Sequence, residues 1–387
     1  MLGPALAALI GTQAAVVAAT LTVPVLAPDI AAELGMVPAI LGYHTASVFA
    51  FAFVFAQVSA TLVRRFGPIG VSMVTAGMAA AALAAVVFGG VPGLLVSTPL
   101  LGAAYAQGNT ASGALLSRLV TARNRNLVFS IKQTSVPVGA AVAGLLLPNV
   151  ALRSDWQAAV IILLALVLAI TVACAPWRRR LDGLMSEEPG AGASRRPLDV
   201  LRHSPDVRRM AALAGCFASV QFGLAAMFVI LLSARHGLGL AEAGAALTVA
   251  MALAVAARLG LGSLADLFSA RVVLGGIGIF MAATSISLIS VQSPVPAVIA
   301  ATLLMTAAFS WNGVFLAETA RCAPPGEVGP ATAAAMSSVF LGGAVAPALF
   351  ASLVATTGSY VPALALFVVS MTVAVALAFR PAKARVF

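Results

Sequence analysis

The sequence predicts an all-α integral membrane protein of twelve transmembrane helices, arranged as two pseudo-symmetric six-helix bundles. Three observations carry that prediction. The 387 residues are 61% hydrophobic and only 9% charged, with a mean hydropathy of +1.06, too apolar for a soluble protein whose outer shell must be polar. The apolar residues fall in runs long enough to cross ~30 Å of hydrocarbon at ~1.5 Å per helical residue, so helices are expected and not a barrel. The two halves also repeat weakly: Ala7-Ala8-Leu9 with Gly11 returns as Ala211-Ala212-Leu213 with Gly215, and Leu34-Gly35 returns as Leu238-Gly239.

Taken in order, the first six spans are expected at 5–28, 38–62, 69–90, 92–117, 127–149 and 156–176. The second six are expected at 209–233, 241–263, 271–291, 295–319, 330–354 and 360–380. A Gly-Gly-Val-Pro turn at Pro92 divides spans three and four, and Ser293-Pro294 divides nine and ten. The N-terminal MLGPALAALIG has no basic lead, so it reads as the first span and not as a removable signal. One long polar segment, 178–208, holds Arg178-Arg179-Arg180, Glu187-Glu188 and Arg195-Arg196, and a short surface helix is expected near its end. It separates an N-terminal bundle (1–177) from a C-terminal bundle (209–387).

The charge pattern sets orientation. The net charge is +10, but the 22 basic residues sit in short clusters between apolar runs, which argues against a nucleic-acid surface and for loops on the cytoplasmic side. With both termini inside, only Arg153 and Arg235 fall in outer loops, and Lys132 and Arg258 fall within spans. Cys174, Cys216 and Cys322 are widely separated, so neither a disulfide framework nor a metal set is expected, and no cofactor is called for. Heavy use of Arg with only two Lys points to a bacterial inner membrane.

These features resemble the major facilitator superfamily over the whole length of the chain. The strongest local match is at the end of span eight, where Arg258, Gly262 and Asp266 recur every four residues ahead of Arg271, like the family's signature loop in its second-half copy. Residues so spaced share a helix face, with Gly262 expected to admit a neighbouring helix and Asp266 to pair at the cytoplasmic end. In the first half Ala60, Arg64, Arg65 and Gly67 stand at the corresponding positions, without the acid. Span four is similar to the proton-transfer motif at Leu100, Gln107 and Gly108, but Ala104 occupies the arginine position. Pro137 and Gly139 in span five loosely resemble the antiporter motif. SIKQTSVPVG in that span, with WNGVFLAETA in span ten, is similar to the cyanate-porter-like and organic-anion (monocarboxylate, oxalate) branches.

A charge within hydrocarbon needs a cavity or a partner. Lys132 lies ~9 Å inside span five and Arg258 ~12 Å inside span eight, at 1.5 Å per residue. The resemblance implies that these two spans meet between the bundles, so both cations would face one cleft, with no mid-span carboxylate to neutralise them. An anion would serve, held by Arg258 as a planar fork and by Lys132 as a point charge. Two other readings stand beside this: Lys132 snorkelling to headgroups, and Arg258 held by Asp266 or by loop carbonyls. Thr12, Gln13, Tyr105, Gln107, Asn109, Gln221, Trp311 and Asn312 are further candidates for the cleft. For these the alternatives are interface anchors and helix–helix hydrogen bonds. Glu318 and His44 are the candidates for proton coupling, Glu318 being set equally well to pair with Arg321 three residues on.

The expectation is a monomeric secondary transporter moving a small anion, such as a monocarboxylate, with a proton, a counter-anion or nothing coupled. A proton-coupled exporter of drugs or metabolites on the same fold is the alternative. Its usual deep acid in the first half is missing, since Asp29 lies at an outer end. No nucleophile–base pair or metal set suggests an enzyme.

Overall fold

A computed structural model describes residues 1–119, 125–185, 197–324 and 328–380. Among these the regular structure is helical. Span one is α1 (Leu2–Val25), followed by the short α2 (Ala27–Leu34). Span two comprises a 3-10 turn (Pro38–Leu41), α3 (Gly42–Ala56) and α4 (Ser59–Phe66); spans three and four are α5 (Pro68–Phe88) and α6 (Gly90–Leu119). Span five is divided into α7 (Arg125–Gln133) and α8 (Ser135–Ala151), and span six is α9 (Trp156–Asp182). The expected surface helix is present as α10 (Pro197–His203).

Spans seven to nine are α11 (Pro205–His236), α12 (Leu240–Phe268) and α13 (Ala270–Ser290). Span ten is again divided, into α14 (Pro294–Ala308) and α15 (Asn312–Cys322), and α16 (Val328–Thr357) and α17 (Val361–Phe379) complete the set. Eleven of these segments are long and apolar enough to cross a membrane; α6, 30 residues long and packed along α5 and α3, supplies the fourth of the twelve crossings. Twelve crossings return the chain to the side on which it began. That side is called the terminal face below, and the opposite one the far face.

The distribution of apolar side chains is that of a protein solvated by lipid. Phe88 is 78% exposed and Val172 71% exposed on the bundle's outer surface, positions that water would penalise and hydrocarbon does not. By contrast α11 is enclosed on nearly every side, with Phe217, Phe228 and Leu231 fully buried. It is a central helix, and α9 with its many exposed aliphatic residues is a peripheral one.

Three spans expected as single helices are interrupted. Span two breaks at Gln57-Val58, span five at Thr134 and span ten at Phe309-Ser310-Trp311. In each case the more polar segment, α4, α7 or α15, lies toward the terminal face and reads in sequence as the polar end of a continuous span. A second correction concerns Gly262. A Cβ there would meet open space, so among the described residues no helix approaches closely and the stated reason for a glycine fails. Gly139 does have such a neighbour, the backbone of Ala14 in α1. The side chain of Asp266 lies outside the described residues, as do those of Arg64 and Arg118 and all of Arg123, Arg195 and Arg196.

The two halves are joined on the far side. The Tyr43 hydroxyl at the start of α3 lies 2.6 Å from the Ser352 hydroxyl in α16. Between α8 and α12 the backbones of Gly144 and Gly244 touch, and the Thr248 hydroxyl donates to the Ala141 carbonyl at 3.3 Å. A side chain at position 244 would strike the Gly144 carbonyl, which separates the helices or shifts the whole far-side seam. Gly244→Val is therefore expected to open the far side. Labelling of a cysteine placed at Ala141 by a water-soluble thiol reagent applied from that side should speed up; an unchanged rate would mean that the seam does not depend on this contact.

The corresponding turns of the two halves share one unusual backbone conformation. Gly67, between α4 and α5, has φ 76° and ψ 157°, and Ser269, between α12 and α13, has φ 80° and ψ 144°. Glycine adopts that region freely, whereas a serine there is strained by roughly 1–3 kcal/mol. Ser269 is the one non-glycine residue with positive φ among the described residues. Ser269→Gly is expected to raise thermal stability by part of that amount, measured by unfolding in detergent. No change, or a loss, would show that the serine side chain compensates its backbone.

Candidate functional site

The site forms where span five breaks. Lys132 lies in the last turn of α7 and is 2% exposed, one of the largest fully enclosed side chains in the molecule. Its ammonium donates to Asn109 Oδ1 in α6 at 2.9 Å. An ammonium has three donors; an amide oxygen satisfies one of them and carries no full charge. No carboxylate pairs with Lys132 among the described residues.

Arg258, in α12, reaches the same point from the other half. Its Nε donates to the carbonyl of Phe309 at 2.5 Å, and its Nη1 donates to the carbonyl of Gln133 at 2.7 Å. Gln133 is the residue next to Lys132. Both carbonyls are ends of interrupted helices, Gln133 closing α7 and Phe309 capping α14. The C-terminus of a helix carries unsatisfied carbonyls and roughly half a negative charge. Arg258 thus sits between two partial negative ends and ties the halves together. Of the alternatives set out from the sequence, the one that holds it on carbonyls is what the structure contains. Among the described residues each of its bonds is to a neutral carbonyl, so its full positive charge remains beside that of Lys132.

Around this pair the other candidates divide. Tyr105 is one helical turn from Asn109 on α6, toward the far face. It belongs to an aromatic cluster with Phe49 (centroids 5.1 Å), Phe222 and Phe340 (6.4 Å each), drawn from both halves. Phe49 and Phe222 are themselves 3.9 Å apart. The cluster closes the space between the halves on the far side of the two cations. Gln13 in α1 is buried, and its amide oxygen has no partner; it lies against Gly108, where any Cβ would collide with it. It is therefore adjacent to Asn109, with an acceptor oxygen open to a donor group. Gln133 Oε1 and Ser135 Oγ, on either side of the break, are also buried without partners.

The remaining candidates are committed elsewhere. Trp311 is fully enclosed, stacks on Phe217 at 5.1 Å and gives its indole N–H to Gln221 Oε1 at 3.0 Å. Asn312 Nδ2 reaches the same oxygen at 3.3 Å, so Gln221, Trp311 and Asn312 form a polar clasp within the second half. The Thr12 hydroxyl donates back to the Ala8 carbonyl, and Gln107 reaches the Phe55 carbonyl at the interruption of span two. His44 Nε2 shares a hydrogen bond with Ser97 near the far face. Glu318 is held by Arg321 through two bonds of 2.6 Å each, an arrangement that raises the arginine's affinity for its proton. Arg271 lies within electrostatic range of that carboxylate.

Sequence reasoning missed two parts of the site. The aromatic residues Phe49, Phe222 and Phe340 carry no signal, since phenylalanine at helical spacing is indistinguishable from ordinary core. The Gln133 carbonyl is a backbone group and invisible to side-chain reading, although a proline four residues later announces it.

The comparisons with known proteins agree on one family. The family model described as Major Facilitator Superfamily matches residues 8–347. The chain belongs to the major facilitator superfamily. Membership makes it a multi-pass membrane transporter, not an enzyme, working by alternating access of one site to the two sides. A sequence search of curated proteins gives no match. Among solved structures, it is similar to a bacterial homologue of the human lysosomal transporter Spinster in an inward-facing and occupied conformation. The TM-score is 0.71 at 16% identity, covering 97% of this chain and 95% of the other. It is also similar to the transporter FucP in the outward conformation, with a TM-score of 0.64 at 15% identity, covering 98% and 99%. These likenesses are of fold.

Proposed function

We propose that this superfamily member carries a small anion, with an organic monocarboxylate or a similar ion as the cargo. It would work in a bacterial inner membrane with both chain ends in the cytoplasm. The observation that carries the reading is Lys132: a fully buried ammonium that donates to one neutral amide, Asn109, next to a guanidinium bonded to neutral carbonyls. Two positive charges side by side in a low-dielectric interior repel each other, and each has lost hydration worth several kcal/mol. A bound anion supplies the missing counter-charge and the missing acceptors together. The Ser135 hydroxyl beside the helix break, buried without a partner, offers a further donor to orient it.

In this reading the far face is the cell exterior. The far-side seam and the aromatic cluster form the closed outer gate, and the anion enters or leaves through the terminal face. Of the two side chains expected to carry a proton, Glu318 is occupied by Arg321 and His44 is bonded to Ser97 away from the cation pair, which favours the anion reading over the proton-coupled exporter.

Uptake into proteoliposomes tests this directly. With labelled formate, lactate and oxalate offered in parallel, at least one is expected to enter saturably and to be competed by its unlabelled form. Flux of a lipophilic cation, with none of the anions transported, would replace this reading by the exporter.

A further inference from the structure

The position of Arg258 depends on a residue with no polar side chain, Pro137. In an uninterrupted helix the carbonyl of residue 133 would accept the N–H of residue 137. Residue 137 is proline and has no N–H to give. The Gln133 carbonyl is therefore released from the helix, the chain breaks at Thr134, and the freed oxygen accepts Arg258 Nη1 at 2.7 Å. Pro137 itself is buried in the first turn of α8, where a missing N–H costs that helix nothing. The neighbouring chain confirms the local geometry: the Thr134 N–H turns back to the Ile131 carbonyl at 3.1 Å, and helix bonding resumes with the Val138 N–H on the Thr134 carbonyl at 3.0 Å.

We propose that Pro137 is the positioning residue of the cation pair: by leaving the Gln133 carbonyl without a helical donor, it creates the acceptor that anchors Arg258 beside Lys132. The same break ends α7 immediately after Lys132, which fixes the direction in which the ammonium leaves the helix toward Asn109. This deepens the anion-site reading and rests on it for its functional meaning. The structural link between Pro137, Gln133 and Arg258 does not require any anion.

The test replaces position 137 in two ways. Pro137→Ala restores an N–H that competes with Arg258 for the Gln133 carbonyl. The alanine analogue with a backbone ester in place of the amide, lactic acid introduced at 137 by nonsense suppression, lacks both the N–H and the proline ring. Two readouts are taken on the purified full chain without added anion. The first is thermal unfolding of each form with and without Arg258→Ala. The second is acetylation of Lys132 by acetic anhydride relative to Lys383, the only other lysine, which acts as an internal reference.

In Pro137→Ala, the loss of stability caused by Arg258→Ala should shrink, and relative Lys132 acetylation should change about fivefold, as one competing hydrogen bond of ordinary strength commands. The ester form should return both readouts to the values of the proline protein. The proposal falls if the Pro137→Ala and Arg258→Ala effects simply add, or if the alanine and ester forms behave alike. If Pro137→Ala does not fold while the ester form does, the missing N–H is again what matters. If both fail to fold, the ring is what matters and the proposal is overturned. Absence of anion uptake by the unaltered protein would remove the anion reading and leave these results standing, so the two failures are separable.

Discussion

Lys132→Met is expected to abolish anion transport while making the protein more stable. The ammonium is enclosed and donates to a single amide, with no carboxylate beside it among the described residues, so the folded state bears its desolvation cost without a compensating charge. A methionine of similar length fills the space and removes that cost, a gain on the order of 1–2 kcal/mol. Transport depends on the charge. Truncating one member of a buried, hydrogen-bonded charge pair costs ~2–5 kcal/mol of binding, or at least about thirtyfold in anion uptake efficiency. Lys132→Arg should not rescue it, because a planar fork cannot replace a compact ammonium facing Asn109. A snorkelling lysine predicts something else: little change in either quantity. Initial uptake rates and melting temperatures of the same preparations decide between the two.

Removing the neighbouring cation has the opposite effect on stability. Arg258→Ala leaves the Gln133 and Phe309 carbonyls without the donor that now serves both, and each stranded acceptor costs roughly 1–3 kcal/mol. The expected result is a destabilisation of about 2–5 kcal/mol, together with loss of transport. Arg258→Lys keeps the charge but cannot reach both carbonyls in the fork geometry, so it should recover part of the stability and little of the transport. Retention of full stability in Arg258→Ala would show that water or another donor takes over the helix ends. Adjacent cations with mutational effects of opposite sign are the particular signature of this site, since one is tethered by the fold and the other is left for the cargo.

Much of this was legible in the residues. The twelve crossings follow from apolar runs, the turns at Pro92 and Pro294 from their punctuation, and the adjacency of Lys132 and Arg258 from matching depths on spans that the family resemblance brings together. The helix breaks were not legible from hydropathy, because α7 and α15, though more polar than α8 and α14, read as the polar ends of continuous spans. Pro137 is a local mark of the first break; the second, at Phe309-Ser310-Trp311, carries no proline and depends on tertiary contacts of Trp311 with Phe217 and Gln221. Trp311 and Gln221 read as cleft residues because a polar group in a span looks functional in one dimension, whereas in space the indole and the amide satisfy each other. Gly262 shows the converse error: a glycine in a motif invites a packing explanation, and the space beside it is open.

The central claim, that Lys132 and Arg258 form a site for negative charge, is tested most directly by ligand-induced stabilisation. A ligand that binds the folded protein alone raises its melting temperature in proportion to RT ln(1 + [L]/Kd). Purified protein would be melted at constant ionic strength with formate, lactate, oxalate or nitrate, beside neutral and cationic analogues of similar size. The account predicts that at least one anion raises the melting temperature of the unaltered protein, that the analogues do not, and that the rise is absent in Lys132→Met. A rise produced by an anion and undiminished in Lys132→Met, or one produced by the cationic analogues alone, would contradict it.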